Sequence, residues 1–159
     1  EVPLLGGLEE RNLQHVDAHL FRWHPEGNLP GAALREYLER YAVSHVVVRN
    51  LKPALEWRKD LLQFKALVAG FRIYETRIRP SYFARGEGEV VSQSLNSLRV
   101  RMRGGSCPEA VLRFHWMEGL RCRPGCQVER FPIRGDRVGF IRIANPPAEL
   151  EVYQSYRWE

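Results

Sequence analysis

Apolar residues recur along this chain in two rhythms, and the change from one to the other falls near Gly70. In AALREYLERYA, Leu34, Tyr37, Leu38 and Tyr41 stand at i, i+3, i+4 and i+7, the spacing of one helix face. A further helix is predicted from Pro53, whose missing N–H costs nothing in a first turn. Its stripe is Ala54, Trp57, Leu61, Phe64 and Val68, and Gly70 ends it as a C-terminal cap. The last part of that segment, residues 62–68, also alternates, which allows a strand to begin early. Residues 11–23 fit both rhythms. Leu13, Val16, Leu20 and Trp23 form a helical stripe, while Asp17, His19, Phe21 and Trp23 share a strand face; helix is favoured. Val46-Val47-Val48 predicts a short buried strand within residues 44–50.

Beyond Gly70 the period is two. FRIYETRIR reads as a strand, and VVSQSLN leads into SLRVRMRGG. There Arg99, Arg101 and Arg103 alternate with Leu98, Val100 and Met102 until Gly104-Gly105 breaks the run. Residues 110–117, 127–131, 138–144 and 150–158 supply four more candidates, and their short separations predict antiparallel neighbours. Helices followed by a run of strands define an α+β class. The expected form is one curved antiparallel sheet of about five to seven strands, mostly within residues 71–158. Two or three helices from the N-terminal half pack on one face, and the arginines occupy the other.

A chain of 159 residues is the size of one domain and can bury a proper core. The expectation is a single domain over residues 1–159. The chain opens without an initiator methionine, as EVPLLGGLEE, which suits a domain excised from a longer protein. No apolar run approaches the length of a membrane-spanning helix. The formal charge is +5, and its placement matters more than its size. Residues 1–71 hold nine Lys/Arg and nine Asp/Glu, whereas residues 72–142 hold fourteen and seven. Arginine makes up 21 of the 24 basic residues, and its planar fork suits phosphates, carboxylates and aromatic faces. Codon bias in a GC-rich genome explains the same preference. Three cysteines and the absence of any Asn-x-Ser/Thr site point to a reducing intracellular setting, nuclear or cytoplasmic. A Cys122–Cys126 disulfide around Pro124-Gly125 remains open.

The arginine row carries the functional expectation. Arg99, Arg101 and Arg103 would project from one side of one strand, roughly 7 Å apart. Such a row repels itself unless anions or acidic side chains stand among the cations. Arg113, Arg121 and Arg123 extend it, and aromatic residues lie near in sequence. Nucleic-acid binding by a sheet combines cations on phosphates with rings under bases. The leading expectation is therefore a non-catalytic domain that contacts RNA or DNA through this face. The main alternative is a protein-interaction module meeting an acidic surface with the same arginines or with Tyr153, Tyr156 and Trp158. A third is a solvated face whose arginines pair with Glu87, Glu89, Glu118 or Glu129.

Other constellations are weaker. Cys107, His115, Cys122 and Cys126 offer four zinc-type ligands, but without paired C-x2-C knuckles and with His115 in mid-strand. No metal or other cofactor is expected. His15, Asp17 and His19 align on a helix or a strand as candidate metal ligands. Arg134-Gly135-Asp136 is an RGD tripeptide, placed where Gly-Asp ordinarily makes a hairpin turn. Glu75, Glu118, His45 and His115 are titratable candidates for acid–base work, but no GxSxG, P-loop or GxGxxG accompanies them.

Two resemblances add expectations. VDAHLF resembles the opening strand of amidohydrolase-type metal enzymes, whose barrel needs far more chain than this. KALVAGFRIYETRIR resembles the Q-V-V-A-G hairpin entry of cystatins, in which a helix precedes a wrapped antiparallel sheet. The overlap is LVAG and the following strand, with Ala66 where the motif has glutamine. It implies a protease-inhibitor-like fold as a minor alternative, alongside a small pocket enzyme or ligand carrier.

Overall fold

A computed structural model of the chain describes residues 30–49, 53–94, 96–104 and 107–154. The helix expected over residues 11–23 lies outside the described residues. The chain divides into two compact units, Glu1–Pro80 and Ser81–Glu159.

The first unit contains α1 (Gly31–Tyr41), β1 (His45–Val48), α2 (Pro53–Glu56), β2 (Leu62–Val68) and β3 (Phe71–Thr76). Helix α1 forms where its stripe predicts, burying Leu34, Leu38 and Tyr41. The strands make an antiparallel sheet in the order β1-β3-β2. Leu34 and Leu38 share one buried cluster with Leu55, Leu61, Leu62 and Tyr74. Thr76 sits at the end of β3, where its hydroxyl donates to the carbonyl of Val43.

The long helix expected over residues 53–70 is not formed. It stops after one turn at Glu56, and residues 62–68 are strand. Trp57, assigned to the apolar stripe, is 80% exposed. The deciding feature is the turn: Ala69 at φ 49° and Gly70 at φ 81° are both left-handed. Two such residues between the paired Val68 and Phe71 make the two-residue hairpin that matches strand twist. Gly70 is thus a hairpin residue and not a helix cap. Strand β1 is likewise no buried strand, because it lies at a sheet edge with Val47 52% exposed.

The second unit contains β4 (Phe83–Arg85), β5 (Gly88–Gln93), β6 (Ser97–Met102), β7 (Glu109–His115), β8 (Leu120–Arg123), β9 (Gln127–Ile133), β10 (Asp136–Ala144) and β11 (Glu149–Gln154). They form two four-stranded antiparallel sheets, in the orders β4-β7-β10-β9 and β5-β6-β11-β8. Only the β5–β6 and β9–β10 connections stay within one sheet; every other link carries the chain from one sheet to the other. The inward positions of both sheets meet in a single core. Leu98, Val100, Leu150 and Val152 come from one sheet, and Phe83, Ala110, Leu112, Ile141 and Ile143 from the other. This is a β-sandwich.

The expected α+β architecture is therefore overturned. The described chain is mostly β, with one helix of 11 residues, one single-turn helix and three small antiparallel sheets. The expected single sheet covered by two or three helices is replaced because two apolar strand faces bury each other. No helix is needed to cover them. Among the described residues no helix is long and apolar enough to cross a membrane.

Ile143 is fully buried between the two sheets. Ile143→Ala should cost about 2–5 kcal/mol, the usual range for such a cavity. Denaturant unfolding checks this, and a loss below about 1 kcal/mol would show that the two faces are not packed against each other.

Candidate binding surface

Alternation places the odd-numbered residues of β6 and β11 on the outer face of the β5-β6-β11-β8 sheet. The register is fixed by pairing: Glu149 lies opposite Arg101, Glu151 opposite Arg99 and Tyr153 opposite Ser97. On the far side of β11, Glu151 lies opposite Arg123 and Tyr153 opposite Arg121. On the far side of β6, Glu89 lies opposite Arg101. Each strand thus presents one sign of charge, and neighbouring strands present opposite signs.

The side chains meet as that register requires. Arg101 donates from Nη1 to Glu89 Oε1 at 2.8 Å and from Nε to Glu149 Oε1 at 2.9 Å. Arg103 reaches Glu89 Oε2 at 3.4 Å. Arg123 Nε donates to Glu151 Oε2 at 2.7 Å, and Arg99 Nε stands 3.9 Å from the same oxygen. Arg123 also lies over the ring of Tyr153, 5.1 Å from its centroid. The bond from Arg123 holds the Glu151 carboxyl below the usual glutamate range, with Ser97 acting in the same direction. Hydrogen bonding to Glu149 and then Glu89 favours the charged form of Arg101.

Five of the six arginines singled out from the sequence share this face: Arg99, Arg101, Arg103, Arg121 and Arg123. Arg113 belongs to the other sheet, where Nη1 donates to the carbonyls of Ser81 and Phe83. Among the described residues, Glu89 is the one anticipated acidic partner that pairs on this face. Glu149 and Glu151 were missed, although their alternation with Leu150 and Val152 is visible in ELEVY. A second network on the other sheet was also missed. Glu109 accepts from Arg85 and Arg142, Arg142 bonds Glu129, and Arg85 lies 4.6 Å from the centroid of Phe131. Bonds from Arg85, then Arg142, lower the Glu109 pKa.

The remaining candidates do not converge. Cys122 in edge strand β8 and Cys126, just before edge strand β9 of the other sheet, form a disulfide. Cys107 donates its thiol to the Glu109 carbonyl, and His115 Nε2 stands 3.0 Å from Asp136 Oδ2. The four proposed zinc ligands are thus separately engaged, and no group of three or more His, Cys, Asp or Glu among the described residues is arranged to hold a metal. In the RGD tripeptide, Asp136 is buried and its Oδ1 accepts from the N–H groups of Val138 and Gly139. That carboxylate is a turn-forming group and is not presented for integrin binding. Glu75 pairs with Lys65 at 2.6 Å and lies opposite His45 in the first unit, while Glu118 and His115 belong to the second. Of the LVAG segment, Leu67 and Val68 are exposed beside the β2–β3 hairpin turn, in a sheet of three strands. His15, Asp17, His19, Tyr156 and Trp158 lie outside the described residues. Comparison with family models, curated proteins and solved structures finds no match.

A carboxyl with a lowered folded-state pKa stabilises the fold above its unfolded value and loses that contribution as pH falls through the folded value. The Arg123–Glu151 contribution is therefore complete at neutral pH and disappears in acid. Glu151→Gln should lower the melting temperature at neutral pH, and the gap from wild type should close as pH falls through the lowered folded-state pKa of Glu151. A gap unchanged across that range would show that pairing is not what Glu151 contributes.

Proposed function

We propose that this chain is a non-catalytic binding module that meets another protein through the outer face of the β5-β6-β11-β8 sheet. The supporting observation is the placement of Glu89, Glu149 and Glu151 in register between the arginines. A phosphate backbone is a uniform line of negative charge, and its affinity comes from uncompensated cations. Here every phosphate brought to Arg99, Arg101 or Arg123 would also approach a carboxylate. Five arginines against three glutamates leave only a small positive excess on the face. A protein surface can supply both signs at matching positions, and arginine and tyrosine are the residue types that anchor such interfaces.

One observation favours nucleic acid as a second reading. Arg121 makes no ion pair among the described residues and lies opposite Tyr153, whose ring already stacks with Arg123. A base on Tyr153 and a phosphate on Arg121 would use that corner.

Titration with a single-stranded 20-mer oligonucleotide between about 50 and 200 mM salt separates the two readings, since each phosphate contact adds about 0.7 to the log–log salt slope. The protein-partner reading expects no binding, or a slope near 1 or less. A slope of about 3 or more that vanishes in Arg99→Glu/Arg101→Glu would overturn it in favour of nucleic acid.

A further inference from the structure

We propose that the partner of this face is a second copy of the chain, docked about a two-fold axis that runs along the strands between β6 and β11. This rests on the protein-binding reading and names its partner.

Across the sheet the strands carry Glu89 on β5, Arg99 and Arg101 on β6, Glu149 and Glu151 on β11, and Arg121 and Arg123 on β8. The sequence of signs is negative, positive, negative, positive. Rotation about the stated axis lays β6 on the partner's β11 and β5 on the partner's β8. Every stripe then meets its opposite. The levels agree as well, because residues paired within the sheet are the ones the axis exchanges. Arg101 faces Glu149 of the second copy, Arg99 faces Glu151, and each contact occurs twice, as an isologous interface requires. Tyr153 lies over Ser97, a large side chain over a small one. Glu89 and Arg123 fall one level apart, about 7 Å along the strand, within the reach of an arginine. Rotation about the perpendicular in-plane axis instead sets β6 on β6 and β11 on β11, like charge on like.

The face is small. Four strands about 4.8 Å apart and five or six residues at about 3.3 Å each give roughly 350 Å² per copy. That is below the size of a stable interface, so association is weak. Exposed ion pairs are screened by salt, so it is also salt-sensitive.

Sedimentation of the full chain between about 10 and 500 µM, at about 50 and 500 mM salt, tests the proposal. Wild type should dimerise with rising concentration at low salt and remain monomeric at high salt. Arg101→Glu alone and Glu149→Arg alone should each be monomeric. Their equimolar mixture should associate, because residue 101 of each then meets an opposite charge at residue 149 of the other. Circular dichroism establishes that each variant is folded. A wild type that stays monomeric throughout, or a dimer that persists in both single variants, overturns the second-copy inference. So does a monomeric mixture of two folded variants. A monomeric wild type with no oligonucleotide binding removes only the second copy and leaves a different protein as partner. A monomeric wild type with the steep oligonucleotide slope overturns the protein-binding reading too.

Discussion

The register between β6 and β11 is the constraint on which the rest of the second unit depends. Side chains on a strand alternate between faces, so one register decides both faces at once. Setting Leu98 and Val100 against Val152 and Leu150 builds one wall of the core. The same pairing leaves Arg99 and Arg101 no neighbours on β11 except Glu151 and Glu149. A slip by one residue would bury the charges and expose the leucines and valines, at a cost far above what ion pairs could offset. The striped surface is thus held in place by the hydrophobic core beneath it. Its exposed ion pairs add little stability of their own.

That relation separates the role of the charges from the role of the fold. Arginines in a bare row would repel one another and attract any polyanion. Arginines between glutamates are held in defined orientations and discriminate by pattern. The disulfide between Cys122 and Cys126 contributes to the same end by fixing the short edge strand β8, which carries Arg121 and Arg123. The other sheet repeats the device, with Glu109 between Arg85 and Arg142.

Much of this was legible locally. The spacing of Leu34, Leu38 and Tyr41 marked α1, and LRVRMR marked a strand with an arginine side. Residues 57–70 misled because Leu61, Phe64 and Val68 satisfy a helical period while residues 62–68 also satisfy a period of two. The left-handed pair Ala69-Gly70 settles that conflict through turn geometry, which periodicity does not contain. The sandwich was missed for a related reason. Strand number and alternation were visible, but whether apolar faces meet helices or each other depends on long-range pairing. The acidic half of the charged face was hidden in the same way, since Arg101 and Glu149 are 48 residues apart.

The proposed role of the face bearing Arg99, Arg101, Glu149 and Glu151 is to bind protein, with a second copy of the chain presenting its complement. The most direct measurement is the amide spectrum of isotope-labelled full chain, followed on dilution at low salt. Self-association through this face predicts concentration-dependent shifts confined to β5, β6, β11 and β8 that disappear when salt is raised. Shifts confined instead to the β1-β3-β2 sheet, or no shifts at all, would contradict it.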